Sequence, residues 1–356
     1  MSTTENPLIA ARPKAKLYYL PRGVPSLPLR VSTALYDLST NDYVYISSSG
    51  LRGGINHPSN HPIVVDGVER HIPFRIAVWL NRFLSRRLDL LFWVDGLCAP
   101  EFEFKTITDR HDGVMDIIRH ASDIWCLVAE PRSLLLTKKI VNTLELAYCH
   151  WLDACAFVGV EMEQPLHTLT TQQKMSIAEW LRKSLPEDLA KIDEYMWWEI
   201  ENIFHSSYWS SVKCIADIVV GQKVWMLYGG RRMSLTLYMG AFRAFTYLRH
   251  EATTRLKPST TKGWEMAVAL YTMRCFNKKW QKVDLRHLLQ ITRLCVDARG
   301  DPRDVINAMA ALCMPRERRI ELFHNKYLRT QGTIQDVFIE VARYIIGDRQ
   351  DLSIWD

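Results

Sequence analysis

The sequence lacks any apolar run that approaches the roughly 20 residues of a membrane-spanning helix. Its first eight residues are polar and do not contain the apolar core of a secretory signal. Internal repeats and low-complexity segments are also missing. These absences argue against a membrane protein and against a repeat array, and we expect a cytoplasmic protein without membrane contact.

The eight cysteines include no CxxC pair. Most of them have apolar neighbours, as Cys126 does between Trp125 and Leu127. Scattered cysteines in apolar surroundings indicate reduced, buried thiols and not a disulfide framework.

His57 and His61 are four residues apart, which is a spacing that helical metal ligands use. Each of them precedes a proline, and this excludes the helix that would align them. We therefore predict no metal site, and the sequence indicates no cofactor.

The composition of the 356-residue chain, 48% hydrophobic and 24% charged, is ordinary for a globular protein with a sizeable core. The net charge of +6 allows an anionic partner, such as a nucleotide or another small molecule, without demanding one. It is too small to indicate nucleic-acid binding. A protein partner and the oligomeric state stay open.

Residues 1–30 contain five of the fifteen prolines. Because proline at this density excludes a helix and disfavours a central strand, we predict an extended arm there. Residues 31–356 are predicted to form a single domain.

The first part of that domain, residues 31–131, alternates strands with helices. Short apolar runs that are typical of buried strands lie at residues 43–47, 90–94 and 122–128. Helical spacing occurs between them, at residues 73–87 and 105–121. This order predicts an α/β fold with a mostly parallel central sheet.

The remainder of the domain is mainly helical. Residues 132–205 are predicted to be a large all-helical insertion. Residues 206–356 are predicted to complete the core with a strand at 223–228 and then helices. Within the first part, residues 63–72 indicate a β-hairpin that turns at Asp66 and Gly67.

Acidic residues follow the strand predicted at residues 90–94. Ligands of α/β sheets collect at the carboxyl ends of the strands, so Asp95 is a candidate catalytic residue. Glu101, shortly after it, is another. The alternative role for each is a helix cap or a surface ion pair.

A run of serines ends the strand predicted at residues 43–47. Ser47, Ser48 or Ser49 is a candidate nucleophile, and the turn at Gly50 is a candidate anion-binding turn. The alternative is a flexible loop without function.

Four motifs, taken in order, resemble those of the fungal heterokaryon-incompatibility (HET) domain. Residues 43–50 (YVYISSSG) resemble the family's Y-E-A-L-S-Y-x-W-G, and residues 93–98 (WVDGLC) resemble W-I-D-A-I-C. Residues 208–212 (YWSSV), running on to Asp217, resemble W-F-x-R-V-W-x-x-Q-E. Residues 301–304 (DPRD) resemble the start of D-P-R-D-x-V-Y-A-L-L-G-L.

The resemblance covers about residues 42–346. It implies the α/β core that HET domains are thought to share with Toll/interleukin-1 receptor (TIR) domains, some of which cleave NAD with a glutamate. It implies an acid at Asp217 and binding positions at Trp93, Trp209 and Arg303. An internal ion pair at a helix start is the alternative role of Arg303.

The chain departs from the family at its polar positions. Ser49 stands in place of a tryptophan, Ser211 in place of an arginine, and Asp217 in place of a glutamate. The shorter aspartate would place its carboxylate about 1 Å from the family position, and a displacement of that size costs about 100-fold in rate. We therefore expect family-type nucleotide cleavage to be lost or altered.

Three functions follow, and whether the chain is an enzyme stays open. The first is a HET-like protein of the incompatibility and cell-death type. The second is a biosynthetic enzyme of fungal secondary metabolism that uses the same scaffold for acyl transfer, cyclisation or hydrolysis of a small molecule. The third is an inactive binding module.

Overall fold

The computed structural model describes residues 14–19, 29–47, 60–73, 90–94, 107–129, 134–252 and 262–280, apart from residues 165, 205, 207, 210 and 212, together with helical positions 76–77, 80, 335–336, 339–340 and 342–343. The strands of this part are β1 (Lys14–Tyr19), β2 (Leu29–Asp37), β3 (Val44–Ser47), β4 (Asn60–Val65), β5 (Val68–Pro73), β6 (Phe92–Val94), β7 (Asp123–Ala129), β8 (Val224–Tyr228) and β9 (Arg231–Ser234). The helices are α1 (Ile107–His120), α2 (Leu134–Val158), α3 (Thr171–Lys183), α4 (Glu187–Ala190), α5 (Glu194–Phe204), α6 (Lys213–Val220), α7 (Leu235–Ala252) and α8 (Lys262–Trp280).

The strands of the described part form one mixed sheet in the order β5-β4-β2-β1-β6-β3-β7-β8-β9. Strands β6, β3, β7 and β8 are consecutive and parallel, and β2 also pairs with β4 in parallel. The other four pairings are antiparallel. The predicted α/β class is confirmed, but the sheet is mixed and not mostly parallel.

β1 lies within the stretch that the sequence predicts as a proline-rich arm. It pairs with β2 along its whole length and with β6 where Tyr18 faces Phe92. Ala15 and Leu17 are fully buried and Lys16 is exposed, which is the alternation of a strand with one face on the core. No proline falls within these six residues, so the proline argument does not apply to them.

The predicted hairpin is confirmed as β4 and β5. Asp66 and Gly67 have φ angles of 50° and 83°, and positive φ at both central positions is what a type I′ hairpin turn requires. The Asp66 carboxylate accepts hydrogen bonds from the backbone N–H and the hydroxyl of Thr33, at 2.8 and 2.5 Å. These bonds attach the turn to β2.

Helices occupy the predicted insertion between β7 and β8. Within the described part of residues 132–205, these are α2 to α5 and a short 3₁₀ turn at Leu166–Thr168. None of the described helices is both long and apolar enough to cross a bilayer.

Helix α6 packs closely against β7 where the chain turns into β8. Gly221, just after the helix, lies so near Ile124 of β7 that a side chain there would clash. The Arg274 guanidinium of α8 donates hydrogen bonds to the carbonyl oxygens of Ile218 and Gln222, at 2.7 and 2.6 Å, and to that of Gly221. These contacts satisfy carbonyl groups at and just beyond the helix end, which a helix leaves without partners, and they fix the end of α6 to α8.

Gly221→Ala is expected to destabilise the fold by about 1–3 kcal/mol, the usual cost of forcing extra volume into a packed core. The new Cβ would clash with the Ile124 Cδ1 methyl and lie 2.6 Å from the Asp217 carbonyl oxygen. Urea unfolding measures the loss. Ile124→Val removes that methyl, so the glycine substitution should cost less in this background, and equal costs in both would contradict a contribution from the clash with Ile124.

Two buried thiols lie around the buried guanidinium of Arg243 on α7. Burial raises the pKa of Cys155, on α2, and of Cys275, on α8, from 9.0 to about 11 in each case. The positive charge of Arg243 partly offsets the effect of burial on both pKa values. The folded protein therefore holds these two protons more tightly than the unfolded chain does.

The stability that this difference provides is fully present below about pH 9 and is lost as the pH rises through about 11. We expect the free energy of unfolding to fall over that interval by on the order of 2 kcal/mol for each thiol. Urea unfolding at a series of pH values measures the change. Cys155→Ala should make the decline shallower, and an unchanged decline would rule out a contribution from this thiol.

Candidate functional site

The four consecutive parallel strands contain a topological switch point. Along the sheet they follow the order β6-β3-β7-β8, so the chain leaves β3 on one side to form β6 and returns on the other side to form β7. In doubly wound sheets, ligands bind in the crevice at the carboxyl ends of the strands on either side of such a point. Ser47 is the last residue of β3 and therefore lies at this end of the sheet.

Ser47 is fully buried, and its register partner on β7 is Cys126. Register partners on neighbouring parallel strands direct their side chains to the same face of the sheet. Ser47 and Cys126 therefore share a face of the sheet with Tyr45 and Trp93. They form the next row of side chains on that face, toward the carboxyl ends of the strands.

Cys126 belongs to a buried polar cluster that also contains Tyr208 and Asp217. The Tyr208 hydroxyl oxygen lies 3.0 Å from Cys126 Sγ and 3.3 Å from Asp217 Oδ2. All three residues are fully buried. The single hydroxyl proton of Tyr208 can be donated to the sulfur or to the carboxylate, so the phenol connects helix α6 to strand β7.

The cluster keeps its thiol and its phenol protonated. Burial raises the pKa of Cys126 well above its ordinary value, and the nearby charge of Asp217 raises it further. Burial also raises the pKa of Tyr208, with Cys126 and Asp217 adding to the shift. Because the thiolate is the reactive form of cysteine, Cys126 is not an activated nucleophile.

The two candidate tryptophans in the described part are packing residues. Trp93 is fully buried and stacks on Tyr45, with ring centroids 5.0 Å apart and an interplanar angle of 12°. Trp209 is also buried, stacks on Tyr238 at 5.8 Å, and donates its indole N–H to the Ile203 carbonyl oxygen at 3.3 Å. Neither ring presents a surface to solvent.

The sequence-predicted site residues thus divide into two groups. Ser47 is the register neighbour of Cys126 and Asp217 is linked to Cys126 through the Tyr208 hydroxyl, whereas Trp93 and Trp209 belong to the surrounding core. The other candidates lie outside the described residues, and these are Asp95, Glu101, Ser48, Ser49, Gly50 and Arg303.

Cys126 and Tyr208 were not among the residues predicted from the sequence. Both lie in stretches that the sequence singled out, since Cys126 is in a predicted strand and Tyr208 opens the third HET-like motif. No sequence pattern predicts that these two residues are in contact, because 82 residues separate them.

A second buried pair, Glu199 and Tyr228, lies at the carboxyl end of β8. The Tyr228 hydroxyl donates to Glu199 Oε2 at 3.1 Å, and Glu199 Oε1 is buried without a hydrogen-bond partner in the described part. Burial and the Glu199 charge raise the pKa of Tyr228. A carboxylate among the apolar residues of α5 is the sequence signal for this pair.

Among the described residues, no group of three or more His, Cys, Asp or Glu side chains is arranged to hold a metal ion. Comparisons of the chain with models of protein families, with curated proteins and with solved structures found no match.

Iodoacetamide should modify Cys149, which is exposed on α2, at least about 100-fold faster than Cys126 in the folded protein. Burial and the raised pKa of Cys126 both act against its reaction. Peptide mapping by mass spectrometry at increasing times gives the two rates. In guanidinium chloride the rates should become similar, and similar rates in the folded protein would contradict the burial of the cluster.

Proposed function

We propose that the chain is a HET-like protein of the incompatibility type that acts in the cytoplasm. In this proposal β6, β3, β7 and β8 form a TIR-like core, which binds a small molecule or a nucleotide at the carboxyl ends of its strands. The observation that carries the proposal is that Ser47 is the register neighbour of Cys126 in the sheet, while Cys126 and Asp217 both lie within hydrogen-bonding distance of the Tyr208 hydroxyl. Ser47 and Asp217 come from separate HET-like motifs that are far apart in the sequence.

The strand order adds support. Numbered by their position in the chain, the four parallel strands run second, first, third, fourth across the sheet. Doubly wound folds with this order bind their ligands beside the first strand, which is β3 here. The serine stretch that resembles the first HET motif begins at the end of that strand.

The burial of Asp217 favours a role in positioning. Its carboxylate contacts the Tyr208 hydroxyl beneath the sheet and is fully buried. Ser47, at the end of β3, is fully buried as well, so a ligand would bind over the carboxyl ends of the strands beyond it, and the Asp217–Tyr208–Cys126 cluster would position helix α6 against β7. We therefore propose ligand binding by this site, without the nucleotide cleavage known for some TIR domains.

A biosynthetic enzyme is the second candidate. The position of Ser47 beside Cys126 on adjacent strands, with the Tyr208 hydroxyl near both Cys126 and Asp217, favours it, since neighbouring protic groups suit proton transfer away from a serine nucleophile. This candidate requires a product whose formation depends on Ser47.

Induced expression of the wild-type chain in a yeast host should arrest growth, and Asp217→Asn should relieve the arrest. A hydrogen bond to a charged group contributes about 1.5–3 kcal/mol, so Asp217→Asn should weaken ligand binding by about tenfold or more and thereby raise the number of surviving colonies. Colony counts measure the arrest, and mass spectrometry of cell extracts measures NAD and new compounds.

Asp153→Asn, which makes the same chemical change at an exposed position on α2, is the matched control and should still arrest growth. Tyr208→Phe keeps the ring and removes the hydroxyl, so it should behave like Asp217→Asn. Soluble protein levels of all variants separate loss of function from loss of folding.

Growth arrest with unchanged NAD supports the proposal. A fall in NAD that Asp217→Asn prevents would replace ligand binding by cleavage. A new compound that Ser47→Ala abolishes would establish the enzyme, and normal growth without a new compound would leave the inactive binding module.

A further inference from the structure

The hairpin of β8 and β9 ends the sheet with a strand that carries two arginines. β9 is the last strand in the sheet order, and within the described part it pairs only with β8. Gly229 and Gly230 form the turn, with φ angles of 55° and 80°. An edge strand leaves a row of backbone N–H and C=O groups without partners, and a strand from another chain can pair with them.

The register of the hairpin shows which backbone groups face outward. Tyr228 and Arg231 flank the two-residue turn and form a hydrogen-bonded pair, so the next pair, Leu227 and Arg232, is non-hydrogen-bonded. The backbone N–H and C=O of Arg232 therefore point away from β8. No other group in the described part of the chain forms a hydrogen bond with them.

The two arginines place positive charge on both faces of the sheet at this edge. Successive side chains of a strand point to opposite faces, so Arg231 lies on one face and Arg232 on the other. Arg231 is exposed and Arg232 is partly exposed. Neither guanidinium forms an ion pair or a hydrogen bond with another described residue, so both charges can take a partner from outside the chain.

An aromatic ring holds Arg232 in place. The guanidinium carbon lies 4.1 Å from the ring centroid of Trp225 on β8. The indole N–H of Trp225 donates to Asp123 Oδ1 at 2.8 Å, which fixes the ring in turn. Because a cation–π contact leaves the N–H groups of the guanidinium without acceptors, Arg232 is pre-organised to bind a carboxylate.

We propose that the β9 edge binds an acidic segment of a partner protein, which pairs with β9 as a further strand of the sheet. Adjacent acidic residues of that segment meet Arg231 on one face and Arg232 on the other, because an added strand alternates in the same way. One compact phosphate group would face only one side of the sheet. A second copy of this chain would bring the same two charges to the edge and would be repelled.

This surface is separate from the Ser47–Asp217 site, and the inference does not depend on the function proposed for that site. Two end-capped, fluorescein-labelled peptides of equal composition test the alternation. Thr-Val-Glu-Glu-Val-Thr offers one carboxylate to each face, whereas Thr-Glu-Val-Glu-Val-Thr offers both to the same face. Fluorescence anisotropy with the full chain should show about three- to tenfold tighter binding of the first peptide.

N-methylation of the first peptide tests the backbone pairing. Alternate amide groups of a strand face alternate edges, so only one of the two alternating sets of amides donates to β9. Methylation of that set should abolish binding, and methylation of the other set should leave it unchanged within about twofold.

Arg231→Glu reverses an exposed charge and should weaken binding of the first peptide about tenfold, with a smaller effect at high salt. Arg30→Glu is the matched control, because it makes the same change at an exposed position on β2, six strands away across the sheet. It should leave binding unchanged within about twofold, since a charge at that distance is screened.

The proposal is overturned if the two peptides bind equally or not at all, or if the two methylated sets behave alike. It is also overturned if Arg30→Glu weakens binding as much as Arg231→Glu does. Tighter binding of a labelled oligothymidylate, lost in Arg231→Glu, would assign the edge to nucleic acid and would likewise overturn the proposal of an acidic protein segment.

Discussion

Asp217 places a carboxylate in the interior of the protein, where a buried charge without partners costs several kcal/mol. The elements around it are arranged to meet that cost. Tyr208 supplies a hydroxyl at 3.3 Å, and Arg274 fixes the end of the helix that carries the aspartate. The aspartate also adds to the effect of burial on the pKa of Cys126, and Gly221, just after the same helix, allows the close approach to Ile124 of β7.

The sequence predicted the local elements well. The apolar runs predicted as strands form β3, β6 and β7, and Asp66 and Gly67 form the predicted hairpin turn. The strands and the turn were predictable because each depends on residues that are close together in the chain. β1 was not predicted, since its place between β2 and β6 depends on partners far along the chain. The high proline content of residues 1–30 led to the prediction of an extended arm, although the six residues of β1 contain no proline.

The candidate site was predictable only in part, for the same reason. Motif resemblance singled out Ser47 and Asp217. The structure links them through Cys126 and Tyr208, which are far apart in the sequence and form no recognisable motif with each other. Trp93 and Trp209 illustrate the opposite case. Their motif positions suggested binding, and their rings are instead stacked within the core, on Tyr45 and Tyr238.

The pairing of β1 has a consequence for how the protein tolerates cleavage. On one side β1 pairs with β2 over six residues, and on the other it meets β6 at the single pair of Tyr18 and Phe92, where the two rings stack at 5.8 Å. Among the described strands, β1 alone joins the β2–β4–β5 portion of the sheet to β6, β3, β7 and β8 by backbone pairing. A protease that removed the chain through residue 19 would therefore divide one continuous sheet into two, and it would leave an unpaired edge on β6.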